Sequence, residues 1–462
     1  MKLQNENAFF NILGMLVLNG VSFFTIPIFT RMLGPEQYGI TSVYKTWAEI
    51  LAIIMSLQVQ GSLGAAFIYF SEEKIKRYQS SVLLLGLFFS SLCFITGIVF
   101  SNLISRWLLF SKETLSILGL YSMGLFVINF AITAFIYLKK SKYNFYVNTV
   151  IVLIDTLLSV YLIMYVFPSE QLYMGRIYGS SIPVVLFAIF LAFYFLIKGT
   201  FSFDFECIKF CIPICLPLVF HGLSHIVLGQ SDRIMLQHMM GNAEAGVYSF
   251  MVFFTSVLLV IWNALNNTWI PFYFEDLKGN QLELIEKKTK NYICIFSIIV
   301  IVFSCWAVEV IKIFSPPSFW YSTRLLPFFV LSNYFIFLYS FPVNFQFFHK
   351  MTYSIAAGTL LAALSNILLN ILMIPKWGVT GAAIATLLAH ILLFIFHEII
   401  ADKVVKSDYH YSFQIFVPGL LFTTFFICLS YFLEDYMMIR WIVGILFSVY
   451  FVLDIYKRKS LF

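Results

Sequence analysis

Residues 226–254 read IVLGQSDRIMLQHMMGNAEAGVYSFMVFF, a stretch in which Asp232 and Arg233 are set side by side into apolar, helix-forming sequence. Charge is costly in such a setting, and where it persists it marks a pathway, a cavity or a coupling site. An aspartate there can take up and release a proton or a small cation. An arginine offers a planar fork of donors matched to phosphate oxygens. Both chemistries recur along the chain. Asp155 lies in the middle of the apolar segment 145–167, and Arg31 closes the segment 8–30. An ionised carboxylate at mid-bilayer costs roughly 2.5–3.5 kcal/mol on insertion scales, so Asp155 is either paired or protonated. That leaves an ion-coupling role and a structural pair both open. Arg31 and Arg233 are candidate phosphate contacts, with local pairing to Glu36 and to Asp232 as the plainer alternatives. His221 and His225, one helical turn apart, can titrate near neutral pH and gate a movement, or can be satisfied buried histidines.

Other polar residues are spaced to accompany these. Lys45, Glu49, Ser56 and Gln60 fall about four and seven apart, which places them on one face of a helix. Ser256, Asn263 and Asn267 repeat the pattern, and Asn7, Asn11, Ser22 and Thr25 give the first apolar segment a polar side of its own. Facing lipid, such groups would lose their hydrogen bonds to water and gain nothing. They are expected to face protein or a water-filled cavity, with interhelical hydrogen bonding as the alternative use. No Ser–His–Asp set, phosphate-binding glycine loop or zinc-ligand spacing is present, which argues against an enzyme. Cys207, Cys211 and Cys215 share a helical face with His221 and His225 beyond them. Pro213 and Pro217 interrupt that helix, however, and free cysteine is a common buried small residue, so neither a metal site nor a disulfide framework is expected.

The elements that position these residues follow from composition. The chain is 61% hydrophobic and 11% charged, against about a quarter charged in a soluble domain. It reads as an all-α polytopic membrane protein. Segments of about twenty apolar residues match a hydrocarbon core near 30 Å. They fall at 8–30, 43–70, 79–101, 114–138, 145–167, 173–197, 211–237, 246–270, 290–314, 324–348, 352–374, 378–400, 414–433 and 438–456, about fourteen in all. About 19 of the 29 Lys and Arg fall on one set of connections, which places both termini on the cytoplasmic side. The net charge of +6 belongs to those loops and is not a nucleic-acid signature. The start, MKLQNENAFF, lacks the pattern of a cleavable signal peptide. Arg176 and Arg324, at segment ends, are expected to snorkel to the interface. Glu309 and Lys312 read as an interfacial pair, residues 275–290 as the longest inner loop, and the sequence around Glu434 and Asp435 as an outer loop.

The chain also echoes itself. MLGPEQYGITSVY at 32–44 answers MMGNAEAGVYSFM at 239–251, with Gly34 and Gly39 spaced like Gly241 and Gly246, an offset of about 207. MGRIYGSSI from Met174 answers KWGVTGAAI from Lys376 at about 203. Two distant echoes at nearly one offset indicate an internal duplication. It gives two parallel six-helix lobes, at 1–200 and 201–408, with two further helices at 409–462.

IPIFTRMLGPEQYGI, SDRIMLQHMMGNAEAGVYSF and IPKWGVTGAAIATLLAH, in that order, resemble the signatures of bacterial polysaccharide transporters of the Wzx-type O-antigen flippase family. That family lies within the multidrug/oligosaccharidyl-lipid/polysaccharide exporter superfamily. The resemblance implies two six-helix lobes around a central cavity, alternating access between them, and a cargo of undecaprenyl-diphosphate oligosaccharide, an O-antigen or similar repeat unit, flipped across the bacterial cytoplasmic membrane. It implies no cofactor, coupling to a proton or sodium gradient, contact with membrane lipids, and association with other polysaccharide-assembly proteins. In this setting Arg31 and Arg233 would meet the diphosphate, the polar stripes would meet the sugar, and Asp155, Asp232, His221 and His225 would serve coupling. The last two helices resemble those of longer members, lipid II flippases among them, in which the extra pair lines a lipid-facing groove. A multidrug-extrusion-type antiporter would favour acidic cavities for cationic drugs. A membrane polymerase or ligase would call for a large outer loop. The mixed charges and short loops here favour neither.

Overall fold

The computed structural model describes residues 2–404 and 413–458, with the side chains of the first helix described chiefly from Phe23 onward. Asn7, Asn11 and Ser22 of the first polar stripe, and the expected boundary at 408/409, lie outside the described residues. All regular elements among the described residues are helical: α1 (Lys2–Ser56), α2 (Leu63–Tyr69), α3 (Glu72–Val99), α4 (Ser101–Leu108), α5 (Lys112–Tyr137), α6 (Ser141–Tyr165) and α7 (Leu172–Lys198) come first. They are followed by α8 (Phe205–Met240), α9 (Asn242–Lys278), α10 (Leu282–Phe314), α11 (Leu326–Phe348), α12 (Thr352–Val404), α13 (Val417–Phe432) and α14 (Met437–Arg458). Among the described residues, eleven helices are long and apolar enough to cross a membrane, or twelve if the bent pair at Phe23–Ser56 and Val59–Tyr69 counts as one span. Two helices are long enough for two spans each. The 55-residue α1 and the 53-residue α12 each run through one non-helical glycine, Gly34 and Gly378, so each comprises two arms. Counted by arm, each apolar segment of the sequence except 43–70 lies mainly on one α-helix.

The first echo has a physical meaning. Gly34 (φ 64°, ψ 176°) and Gly241 (φ 102°, ψ 176°) adopt nearly the same backbone conformation at a helix junction. That region is essentially restricted to glycine. Pro35 then starts the second arm of α1 at a position where no amide hydrogen is needed. The second echo, Gly175 against Gly378, is not matched in conformation: Gly378 (φ 56°) is the non-helical junction of α12, while Gly175 lies within the regular helix α7. The glycines that follow them, Gly179 and Gly381, each make a close approach. A methyl group on Gly179 would sit 2.5 Å from the Ser159 Cα of α6, and one on Gly381 would sit 2.4 Å from the Met373 carbonyl oxygen. Both glycines let a helix press against the segment before it.

Two expectations fail here. The segment 43–70 is not one helix: Leu57 and Gln58 take left-handed conformations, φ 49° and 53°, and the chain bends by 56°. Gln60 therefore sits in a 3-10 turn, Val59–Ser62, rather than on the helical face of Glu49 and Ser56. Residues 275–290 are not a loop either. Helices α9 and α10 reach to within three residues of each other, and Lys288 bonds Asp276 across the turn at 2.6 Å.

The chain divides into two compact units, residues 1–230 and 231–462, with the boundary inside α8. In unit 1, α7 packs on α5 and α6, and α1 packs on all three. In unit 2, α11 packs on α12 and α9, while α13 and α14 pack on α10.

Candidate functional site

In unit 2, Asp232 lies near the C-terminal end of α8 and is 1% exposed. Helix α9 brings Tyr248, whose hydroxyl donates to the carboxylate. The second arm of α12 brings Thr386, whose hydroxyl donates to Oδ2 at 2.6 Å, and the first arm brings Asn370, whose side-chain amide donates to Oδ1. Asn366, one turn before Asn370 and on the same face, accepts from Asn370 at 3.1 Å and from Ser231 at 3.3 Å. Both asparagines are fully buried, and the Asn370 side-chain oxygen has no hydrogen-bond partner. All hydrogen-bond partners of Asp232 among the described residues are thus neutral. A buried carboxylate in an apolar helix needs compensation. Three donors supply part of it by favouring the charged form. The remaining acceptors, with the free oxygen of Asn370, form an oxygen-rich cage suited to one positive charge: a proton on the carboxyl, or a small hard cation. Among the described residues no three His, Cys, Asp or Glu side chains are grouped to hold a metal.

Arg233 does not pair with Asp232. Adjacent residues on a helix point about 100° apart, and the Arg233 side chain is half-buried, with Nε enclosed and without a hydrogen-bond partner. Arg31, in unit 1, is exposed and donates to the carbonyl of Pro27 at 3.1 Å.

Asp155, also in unit 1, has a different environment. Arg176 of α7 forms a two-point salt bridge with it, one contact at 3.3 Å. The same guanidinium donates to Ser159 at 2.7 Å and lies over the Phe29 ring, 4.2 Å from its centroid. Arg176 was expected to snorkel. It is instead buried, because the close approach at Gly179 draws α7 onto α6 and encloses the side chain one turn earlier.

The remaining predicted residues are spread over both units. On α1, Glu49 is exposed and accepts from Gln230 at 2.6 Å, Gln230 in turn accepts from Thr46 at 3.2 Å, Lys45 is half-buried, and Ser56 is buried and caps the Gln58 amide. Gln60 bonds Gln58 at 2.8 Å. On α9, Ser256 is half-buried while Asn263 and Asn267 are exposed. His221 and His225 are exposed. The buried histidines are two that the sequence did not single out, His390 against Ser332 and His397 against Gln346. Sequence reasoning also passed over Tyr248, Asn366, Asn370 and Thr386. A pair of asparagines four apart in an apolar run was the available signal.

Unit 2 has one further feature. Helices α10, α13 and α14 enclose a groove of about 1160 Å³. Its walls are apolar, with Ile298, Phe426 and Phe447 among them, and one end carries Glu286, Lys290 and Gln414. Glu309 of α10, expected to pair with Lys312, is held instead by Arg440 of α14, while Lys312 lies over the Trp320 ring.

The helices of this chain follow an arrangement also found in solved transporters, among them one of the multidrug/oligosaccharidyl-lipid/polysaccharide exporter superfamily. The fold is similar to that of the lipid II flippase MurJ in an inward closed conformation, with a TM-score of 0.70 at 15% identity, covering 98% of this chain and 99% of that one. It is also similar to an inward-facing multidrug resistance transporter of that superfamily, with a TM-score of 0.59 at 14% identity, over 86% and 96% of the two chains. In sequence, a protein of the Lsg locus of Haemophilus influenzae is 25% identical over 291 residues, 61% of this chain and 68% of that protein. A membrane protein of the same organism is 22% identical over 404 residues, 80% and 92% of the respective chains. Residues 5–276 match the polysaccharide biosynthesis protein family, and the chain belongs to that family.

Proposed function

We propose that this protein is a flippase that moves an undecaprenyl-diphosphate-linked oligosaccharide, an O-antigen or similar surface-polysaccharide repeat unit, across the bacterial cytoplasmic membrane by alternating access. A diphosphate bearing sugars cannot cross hydrocarbon unaided, so the carrier must present donors to the phosphates and hydroxyl and amide groups to the sugar. Arg233, with an enclosed and unpartnered Nε, is the stronger phosphate candidate, and Arg31 the weaker. The polar residues of α1 and α9 are candidates for the sugar. Asp232 is the candidate coupling residue for a proton or sodium ion. Asp155, His221 and His225 have less support, because Asp155 is already neutralised by Arg176 and the two histidines are exposed. Both termini are taken to be cytoplasmic.

The observation that carries the reading, beyond family membership, is that the likeness to MurJ covers 98% of the chain. That share leaves no room for α13 and α14 to fall outside it. These two helices wall the apolar groove, which would hold the lipid tail while the head group crosses. The test is reconstitution of the purified protein in liposomes with a labelled polyprenyl-diphosphate glycan, scored by access of an external glycosidase to the glycan. Protein-dependent exposure of the glycan is expected, reduced in the Arg31→Gln, Arg233→Gln double variant. Exposure at the rate of protein-free liposomes would overturn the assignment.

A further inference from the structure

The last two helices are held to unit 2 in different ways at their two ends. Arg440, near the start of α14, is 1% exposed. Its guanidinium makes two contacts with the Glu309 carboxylate and donates to the carbonyls of Cys305 (2.9 Å), Leu433 (3.0 Å) and Glu434 (3.1 Å). All three nitrogens of the fork are engaged. The carboxylate also accepts the Trp441 indole N–H at 3.3 Å, and Trp441 stacks on Trp306 with centroids 5.2 Å apart. One turn on, α14 touches α10 so closely that a methyl group on Gly444 would meet the Trp306 indole nitrogen at 2.3 Å. Past Gly444 the helices part. Phe447 and Tyr450 of α14 and Ile298 and Lys290 of α10 line the groove. Measured along α10 from Ile298 to Glu286, the groove runs about 18 Å, close to the hydrocarbon depth of one leaflet, about 15 Å.

We infer that Arg440 is a positioning residue: by locking one end of α14 to α10 it holds the other end apart, and so sets the length of lipid tail the groove accepts. This rests on the tail reading of the groove given above. Helices α13 and α14 pack on unit 2 chiefly through α10, so the direction of α14 is fixed where it is pinned. With the pin removed, the facing apolar walls of Phe422, Phe426 and Phe447 are free to close on α10, since collapse buries apolar surface. A long tail then loses its seat. A tail of a few isoprene units, which has little need of the groove, does not.

The test uses the full chain in liposomes and two cargoes with one diphosphate-sugar head, one on a long polyprenyl tail and one on a farnesyl-length tail. The Arg440→Met, Glu309→Leu double variant removes both charges and leaves no buried carboxylate unpaired. Arg440→Lys keeps the charge without the fork. The double variant is expected to move the long-tailed cargo about tenfold more slowly, and the short-tailed cargo as fast as the wild type. Arg440→Lys should fall between them on the long tail alone. Yield of monodisperse protein after detergent extraction reports folding, and Arg440→Lys carries the test should the double variant misfold. Equal loss with both cargoes, or no loss with either, would overturn the assignment. Wild-type protein that moves neither cargo would overturn the tail reading itself, and the role of Arg440 with it.

Discussion

Asp155 in unit 1 and Asp232 in unit 2 are both carboxylates held within apolar helices, yet Asp155 has Arg176 against it and Asp232 has only hydroxyls and amides. An aspartate already ion-paired with an arginine of the same chain gains little from binding another cation. One surrounded by neutral donors gains from a mobile cation or proton, and can give it up again. Unit 1 thus holds its charge closed by an internal partner, and unit 2 holds one that meets neutral groups alone among the described residues.

Two substitutions probe the contrast, the larger effect first. Arg176→Gln leaves Asp155 buried without its partner and should destabilise the protein by about 3–5 kcal/mol, read as a lower unfolding midpoint in detergent. Protein that remains folded should keep its response to the coupling ion, and loss of that response would move coupling into unit 1. Asn370→Ala removes one donor to Asp232 and the free oxygen beside it. It should weaken ion binding about tenfold with little change in stability, measured by titrating sodium or protons against intrinsic tryptophan fluorescence. Unchanged affinity would mean that the cage is a packing feature.

Much of this was legible in the sequence, and the limits have a common cause. Helix positions follow from hydropathy, and Gly34 and Gly241 were visible because an unusual backbone conformation demands glycine at both. Asp232 was visible because charge in an apolar run is conspicuous. Its partners were not, since Asn370 and Thr386 lie 138 and 154 residues away and only packing brings them in. The same limit explains Glu309, assigned to nearby Lys312 when its partner Arg440 is 131 residues distant. Arg176 was misread because a charge at a segment end looks free to reach water, and the approach of α7 to α6 that prevents this rests on Gly179, a residue with no side chain to attract notice. Gln60 was misplaced because its spacing fits a helix and the left-handed break falls on Leu57 and Gln58, while the nearest glycine, Gly61, lies three residues further on.

The most direct test is ion binding to the purified protein, without cargo, for the wild type, Asp232→Asn and Asp155→Asn. Asparagine matches aspartate in shape and keeps hydrogen bonds within the site, so loss of charge is the main change. Saturable stabilisation of the wild type by sodium, or by protons released on titration, should persist in Asp155→Asn and vanish in Asp232→Asn. Binding that survives Asp232→Asn and is lost in Asp155→Asn would contradict the account.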